Sequence, residues 1–357
     1  MESQAIISRL YQQAAALQVS DFYALFSQSA PVLTAADRAE AHRLCAQLKL
    51  LAADRSFCED LRLADDGRPP QFPCLFSSFL PKSPNRFVVF SKSEGALDAF
   101  QKRLPEADGL LRQWYGEAGS GTVFQIHSEI LYFSGRHDEA VALALKQRER
   151  ADDDPAAALM AGYVLFRCRL AMGMTNEAET HMLDIIRVNK ENAEHPTCSL
   201  IYRCIRDWAN LTTGWSGDTP RYHRTPDGSV LPVLEDRAAA IQKGISQLSP
   251  TEEPFAKYAR LCYDSAYTMR QLYMDIFYAM DQYRAGNRVQ AQAHFHLAYL
   301  AASTGGLVMP FVEYGKQIIP LLDGLLENDA RYSPAWIQWS IPLAREYEES
   351  LNQYRSK

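Results

Sequence analysis

One stretch of this 357-residue sequence has the spacing of a phosphate-binding loop. The segment GEAGSGTV, residues 116–123, contains the G-x-x-x-x-G pattern. However, Thr122 and Val123 stand where such a loop needs a Lys and then a Ser or Thr to contact phosphate and magnesium. We therefore interpret this segment as a turn.

Two other stretches carry side chains that bind metal ions in other proteins. His294 and His296 are two residues apart on a predicted helix, so they point to different faces, whereas a helical metal site uses a spacing of four. The run ADDDP, residues 151–155, supplies carboxylates, but it precedes a predicted helix, whose first turn favours acidic residues. We interpret both stretches as structural, and we expect no metal and no cofactor.

No catalytic motif is present in the sequence. It lacks the G-x-S-x-G nucleophile motif, the H-E-x-x-H zinc motif and the glycine pattern of dinucleotide-binding folds. An enzyme is therefore the least favoured hypothesis about the function of this chain.

The elements that would position any site are predicted to be helices, because apolar residues recur at spacings of three and four. The predicted helices cover residues 3–18, 35–53, 93–104, 122–134, 138–149, 157–172, 176–189, 198–213, 234–247, 254–284, 288–303, 311–326 and 333–354.

A proline-rich stretch interrupts this pattern. Five prolines lie between Pro69 and Pro84 and exclude a regular helix, so residues 67–91 are predicted to form an extended loop across the helices. Within it, RFVVF (86–90) favours one short strand. Ser93 can cap the helix that follows, and Ser91 with Glu94 has capping-box spacing.

A repeated unit links three of the predicted helix pairs. Each unit has a glycine followed five residues later by an alanine: Gly135/Ala140, Gly173/Ala178 and Gly286/Ala291. The first two glycines are 38 residues apart and the third follows 113 residues later, close to three such intervals. Two degenerate units with Gly214 and Gly244 as turn glycines fit between residues 190 and 270. The glycine would end one helix in the left-handed conformation, and the alanine would let the next helix pack closely.

This unit resembles the tetratricopeptide repeat, which places a turn glycine five residues before a small residue on its second helix. The third unit matches best, since Phe295 and Ala298 occupy later packing positions, whereas the first unit has Gln147 where a small residue is usual. The resemblance implies an all-α fold: a superhelical array of αα-hairpins with one proline-rich irregular loop. Its parts would be N-terminal helices (1–66), the loop (67–91), the repeats (92–304) and a C-terminal capping hairpin (305–357), in a single domain over 1–357.

The same resemblance implies where a ligand would bind, because the first helix of each repeat lines the concave face of such arrays. Carrying over the groove positions selects Gln125, Glu129, Tyr132, Tyr163, Arg167, Tyr273 and Tyr283. From the degenerate middle unit, Arg203, Arg206 and Asn210 join them. Arginines and tyrosines suit an anionic or polyhydroxylated ligand. The alternatives are that these tyrosines fill gaps between repeats, and that Arg203 forms an ion pair with Asp207.

Three stretches resemble a more specific group, the large LuxR-type bacterial transcriptional regulators with a MalT-like architecture. They are SPNRFVVFSKSEGALDAF with the following GEAGSGTVFQIHSEILYFSGRHDEA, then GGLVMPFVEYGKQIIPLL, and the last helix AWIQWSIPLAREYEESLNQY. The second stretch matches a Met-Pro-Phe-x-Glu motif with a downstream Pro-Leu-Leu: Met309, Pro310, Phe311, Glu313, Pro320, Leu321 and Leu322. The resemblance implies a helical sensor region, and the last hairpin would either be structural or relay its state to a neighbouring module. Within these 357 residues, neither a helix-turn-helix nor a nucleotide-binding module is recognisable.

Composition restricts the remaining possibilities. With 47% hydrophobic residues the chain can bury a large core, and its net charge of −6 argues against binding a nucleic-acid backbone. The N-terminus lacks the features of a signal peptide and no 18-residue apolar run appears, which favours a cytoplasmic protein without membrane contact. The seven scattered cysteines are expected to be reduced, mostly buried thiols.

The leading functional hypothesis is a ligand- or protein-sensing repeat domain of a LuxR-type regulator, with a small-molecule inducer or a peptide in its concave groove. The alternative is a stand-alone tetratricopeptide-like scaffold that binds proteins or peptides. A homo-oligomer is compatible with either.

Overall fold

The protein is described by a computed structural model that covers residues 2–16, 18–76, 85–87, 93–151, 154–213, 268–326 and 331–356. It is all-α, as predicted, and no strand occurs in these ranges. The predicted turn glycines Gly214 and Gly244, the helix at 234–247 and residues 88–90 of RFVVF lie outside them.

The helices, numbered along the chain, are α1 (Glu2–Ala15), α2 (Val19–Ser29), α3 (Ala35–Leu51), α4 (Phe57–Ala64), α5 (Ala96–Gln101), α6 (Leu104–Tyr115), α7 (Glu117–Phe133), α8 (His137–Arg150), α9 (Pro155–Ala171), α10 (Thr175–Glu191), α11 (Pro196–Thr213), α12 (Thr268–Arg284), α13 (Arg288–Ser303), α14 (Met309–Val312), α15 (Ile319–Leu326) and α16 (Pro334–Arg355). A 3₁₀ turn, Gly315–Gln317, separates α14 from α15.

The helix α3 joins two hydrophobic cores because it has apolar residues on two faces. Leu44 and Leu48 pack with α1 and α2, whereas Ala46 and Leu50 belong to the main core. Its start is fixed by Thr34, whose hydroxyl accepts the backbone N–H of Asp37 at 3.1 Å. The N-terminal helices are thereby attached to the rest of the array through α3.

The three clear repeats are helix hairpins, as predicted: α7–α8, α9–α10 and α12–α13. Their turn glycines, Gly135, Gly173 and Gly286, have φ values of 73°, 74° and 81°, which a side chain makes costly. The paired alanines at 140, 178 and 291 are fully buried, which allows the close helix packing that the repeat pattern indicates. The first two hairpins stack on each other and on α11, because α9 packs against α7 and against α11.

The prediction of a turn over residues 116–123 is wrong, because α7 already begins at Glu117. Within this segment, Gly119 is required by helix packing. A Cβ on Gly119 would lie 2.5 Å from the carbonyl oxygen of Leu111, so glycine lets α6 and α7 approach closely. Only Gly116, with φ 61°, forms the connection between these two helices.

Several other boundaries differ from the prediction. The helices α2, α4 and α6 were not predicted. In α6 the buried residues do have helical spacing, at Leu104, Ala107, Leu111 and Trp114, but Gly109 interrupts the pattern. Ser93 is not a cap, since Gly95 precedes α5 with φ 68°. The predicted helix over 311–326 is instead α14, the 3₁₀ turn and α15, with Pro310 and Pro320 in the first turns of α14 and α15.

The helix α16 crosses the turn end of successive hairpins. The Trp339 ring would lie 3.2 Å from a Cβ on Gly135, and the Ser350 hydroxyl 3.4 Å from one on Gly173. Further along, Arg355 donates to two backbone carbonyls in the last turn of α11, at 2.8 and 3.2 Å. The C-terminal helix therefore packs along the repeats, against α9, α10 and α11, as well as on α14 and α15.

Candidate functional site

The centre of the array holds a buried carboxylate bound by three donors, which we call the Glu313 clamp. Tyr132 on α7 donates to Oε1 of Glu313 at 2.6 Å. Arg167 on α9 donates to the same oxygen at 2.7 Å, and Tyr273 on α12 donates to Oε2 at 2.7 Å. Because Glu313 lies between α14 and the 3₁₀ turn, the clamp ties the Met-Pro-Phe-x-Glu segment to three helices of the repeats.

Aromatic rings surround Arg167, in addition to its ion pair with Glu313. Its guanidinium lies 4.0 Å from the centre of the Tyr132 ring, 4.9 Å from that of Tyr163 and 5.3 Å from that of Trp208. Burial by itself lowers the pKa of Arg167, but interaction with Tyr132, Tyr163 and Glu313 outweighs it and raises the pKa well above its ordinary value. The guanidinium therefore stays charged at every physiological pH.

Arg167 also reaches the proline-rich loop. Its Nη1 donates to the side-chain oxygen of Asn85 at 3.1 Å. We call residues 85–87 the strap, because all three are buried and bonded to the repeats. One arginine thus connects α9 with both the strap and the Met-Pro-Phe-x-Glu segment.

Glu129, one helical turn before Tyr132, holds the strap by its backbone. Its Oε2 accepts the N–H groups of Arg86 at 2.7 Å and Phe87 at 2.6 Å, and its Oε1 accepts Nε2 of Gln125 at 2.6 Å. Burial raises the pKa of Glu129 to about 7, although these hydrogen bonds and the charge of Arg167 oppose the shift. Glu129 therefore titrates near neutral pH.

The structure brings six of the ten predicted groove residues together in this buried cluster: Gln125, Glu129, Tyr132, Tyr163, Arg167 and Tyr273. Each is at most 2% exposed and faces the protein's own chain, so no open groove is lined by them. On α11, Arg203 is exposed, Arg206 half-buried and Asn210 buried; Tyr283 is half-buried near Gly324. That these ten residues contact a ligand stays a prediction.

Sequence reasoning missed three partners of the cluster. Asn85 and Arg86 lie in the proline-rich loop, where no helical period marks them, and Trp208 was not among the predicted groove residues. Glu313 was named as part of the Met-Pro-Phe-x-Glu motif, yet its role as the bound carboxylate depends on contacts with residues 40 to 181 positions away in sequence.

The other chemical candidates have structural partners. Nδ1 of His294 lies 3.0 Å from Oδ1 of Asp275, while the His296 ring packs edge-on against Tyr332. Asp154 caps α9 by accepting the backbone N–H groups of residues 156 and 157, in agreement with the structural interpretation of ADDDP. Among the described residues, no group of three or more His, Cys, Asp or Glu side chains is placed to hold a metal ion.

The cysteines agree with the prediction of buried thiols. Six of the seven, Cys45, Cys58, Cys74, Cys168, Cys198 and Cys204, are buried and form no disulfide; Cys262 lies outside the described ranges. None of the helices in those ranges is long and apolar enough to cross a membrane.

No protein-family model matches this sequence, and no curated protein shows significant similarity to it. The candidate site is therefore defined by its own geometry.

Proposed function

We propose that this chain is a sensing domain of a LuxR-type transcriptional regulator, without catalysis of its own, that acts in the cytoplasm. Its effector would be a small-molecule inducer or a protein segment. The resemblance of three stretches to such regulators motivates the proposal, and the Glu313 clamp is the observation that supports it best.

The clamp gives the repeats and the C-terminal elements a shared set of bonds. A shift of α9 that moved Arg167 would alter its bonds to Asn85 and to Glu313 together. Packed cores switch between discrete arrangements more readily than they deform continuously. Glu313 precedes α15 and α16, and α16 resembles the helix that leads into the DNA-binding domain of those regulators. The clamp is thus suited to pass a change in the repeats to a neighbouring module.

The test uses the natural polypeptide and its natural promoter fused to a reporter gene. First, the reading frame around this sequence should encode a helix-turn-helix. Second, Tyr273→Phe removes one hydrogen bond to Glu313 and should change reporter output severalfold while the protein stays folded. The matched control is Tyr202→Phe, at a half-buried tyrosine on α11 outside the clamp. A reading frame without a helix-turn-helix, or a reporter equally insensitive to both substitutions, would count against the proposal.

A scaffold that binds another protein is the second candidate, and one observation favours it. The outer face of α13 exposes Val289, Leu297 and Leu300, which are 77%, 52% and 45% accessible. Apolar side chains aligned on one helix face are typical of protein-binding surfaces. Replacing all three by serine should abolish co-purification of a partner and leave reporter output unchanged if the scaffold hypothesis is correct.

A further inference from the structure

Glu129 lies between the strap and a small cavity that has one side towards solvent. Gln125, one turn earlier on α7, is bonded to Glu129 and lines this cavity together with Gln147. About 20 Å³ is accessible there, which is room for one water molecule. Ala118 and Ala157 in the wall are only half-buried, so the cavity faces solvent on their side. A buried carboxyl group therefore lies one side chain away from water.

The hydrogen bonds around Glu129 fit its ionised form. Oε2 accepts the backbone N–H groups of Arg86 and Phe87, and Oε1 accepts Nε2 of Gln125 at 2.6 Å. A carboxylate can only accept, so the Gln125 amide has to present its –NH₂ group to it. The amide oxygen of Gln125 then points away from Glu129, and no side chain or backbone group of the described residues donates to it. A water molecule in the cavity can donate both to this oxygen and to Oε1 of Gln147.

Protonation of Glu129 makes this arrangement unfavourable. Oε2 already accepts two N–H groups, so the proton binds Oε1, and two donors would then face each other across 2.6 Å. Rotation of the Gln125 amide by half a turn removes the conflict, because its oxygen then accepts the Glu129 hydroxyl. The rotation also turns the –NH₂ group towards the cavity, where a water molecule can accept from it and still donate to Gln147. Both forms thus satisfy the buried polar atoms of these three side chains.

We propose that Glu129 and Gln125 form a proton-operated latch on the strap, in which a proton bound by Glu129 reverses the Gln125 amide and weakens the hold on the strap. The hold weakens because hydrogen bonds to an ionised acceptor are about twice as strong as those between neutral groups. Arg167, which bonds both Asn85 of the strap and Glu313, also loses the attraction of the Glu129 charge. The latch gives the protein a response to pH that does not depend on the proposed regulatory function.

Glu129 titrates within the range in which its charged neighbours keep their state. Burial raises its pKa to about 7, although the bonds from Gln125 and the strap oppose the shift. Burial lowers the pKa of Arg86 to about 10 and that of His137 on α8 to about 4, so the arginine stays charged and the histidine stays neutral. The pKa values of Arg167 on α9 and Tyr132 on α7 are raised well above the ordinary ones. The remaining titratable groups act on the two arginines: Glu313 on Arg167, and Cys74 and Asp154 on Arg86.

The test follows the whole protein by NMR from about pH 5.5 to about pH 8.5, a range that spans the expected titration. An isotope label at the glutamate carboxyl carbon gives the midpoint of Glu129, and Glu129→Gln assigns its signal. A label at the glutamine side-chain nitrogen reports Gln125, and Gln125→Leu assigns that signal. We expect the Gln125 –NH₂ signals and the Phe87 backbone N–H to shift with the same midpoint as the Glu129 carboxyl, near pH 7.

Hydrogen exchange distinguishes a reversed amide from a side chain that only senses a nearby charge. The Gln125 –NH₂ group bonds a carboxylate at high pH and faces the cavity at low pH. Relative to a free amide at the same pH, it should therefore be about tenfold or more better protected from exchange at high pH. Gln47 is the matched control, because its buried –NH₂ group bonds the Tyr115 hydroxyl instead of a carboxylate. The protection of Gln47 should not change.

Glu129→Gln fixes the uncharged form, so its Gln125 signals should stay in their low-pH position throughout. Three outcomes would overturn the latch: equal protection of Gln125 at both ends of the pH range, a midpoint that differs from that of the Glu129 carboxyl, or Gln125 signals that still titrate in Glu129→Gln. A Phe87 N–H that ignores the Glu129 titration would show that the strap is not held by this charge. None of these signals depends on reporter output, so the regulator proposal is tested separately.

Discussion

Glu313 shows how one side chain can join distant parts of the chain. Its carboxylate is fully buried, and three donors to it come from the repeats: Tyr132, Arg167 and Tyr273. A buried ion pair of this kind adds little net stability to the fold. Loss of one partner nevertheless destabilises the protein strongly, because the remaining charge stays buried without a counter-ion.

Glu313→Gln should therefore destabilise the protein by about 3 kcal/mol, since Arg167 keeps its charge in a site that has lost the counter-ion. The measurement is the free energy of unfolding from urea denaturation at pH 7.5. The matched control is Glu191→Gln, which removes an exposed carboxylate paired with Arg187 on the surface of α10 and should leave stability near wild type. Equal stability of both variants would mean that the clamp does not contribute to the fold.

Glu129 predicts a dependence of stability on pH. Its folded pKa of about 7 lies above the ordinary value of 4.5, so between these values the folded protein retains a proton that the unfolded chain has released. The stability that this group contributes is complete below pH 4.5 and is lost as the pH rises through 7. Arg86 and Arg167 are the charged groups that oppose this shift, and both remain protonated throughout the range.

Glu129→Gln removes this titration. Relative to the wild type, the variant should gain about 3 kcal/mol between pH 5 and pH 8, because only the wild type must ionise a buried carboxyl. The glutamine can keep the strap bonded, since its oxygen can accept both backbone N–H groups and its –NH₂ can donate to Gln125. Urea denaturation at four pH values measures the difference, and parallel curves for the two proteins would contradict the assignment.

At the scale of the elements, the turn glycines differ in what surrounds them. Gly135, Gly173 and Gly286 share the left-handed conformation, but Gly135 also lies against α16 and the segment before α14. A Cβ at Gly135 would be 3.2 Å from both Trp339 and Val308, whereas none of the atoms in the described ranges lies within 4 Å of one at Gly286.

Gly286→Ala should lower the free energy of unfolding by about 1 kcal/mol, the usual penalty for a side chain in the left-handed conformation. Gly135→Ala should cost at least about 1 kcal/mol more, since overpacking against Trp339 and Val308 is added. Thermal unfolding of the two variants side by side gives the comparison. If Gly135→Ala lowers thermal stability no more than Gly286→Ala does, then the contact with α16 adds no cost at Gly135.

At the scale of the whole molecule, α16 contacts more of the fold than an ordinary terminal helix. It packs on α9, α10, α11, α14 and α15, whereas α1 packs chiefly on α2 and α3. The buried Trp336 on α16 lies edge-on to Tyr299 and Phe311, which extends its contacts to α13 and α14. The stability of several hairpins therefore depends on this one helix.

Two truncations test that dependence. Removing residues 334–357 should abolish cooperative thermal unfolding, or lower the midpoint by more than about 10 °C, because several kcal/mol of apolar burial is lost across the array. Removing residues 1–18 should leave the main transition in place, since α1 belongs to the separate N-terminal core. Circular dichroism at 222 nm during heating measures both. A cooperative, wild-type-like transition without α16 would refute its stabilising role.

The sequence alone determined the helical class and the hairpins with turns at Gly135, Gly173 and Gly286, because these depend on local properties: helical periodicity, glycine conformation and the small size of alanine. Local rules failed at residues 116–123. Glycine is needed at residue 119 because α6 and α7 approach closely there, and that approach depends on how the two helices pack. Only the tertiary structure decided that six of the ten predicted groove residues lie in one buried cluster and that Glu313 is the partner of three of them. Hydrogen bonds between residues more than a hundred positions apart leave no period in the sequence. The physical reason is that desolvation and charge pairing depend on the whole surroundings of a group, whereas periodicity depends only on its neighbours along the chain.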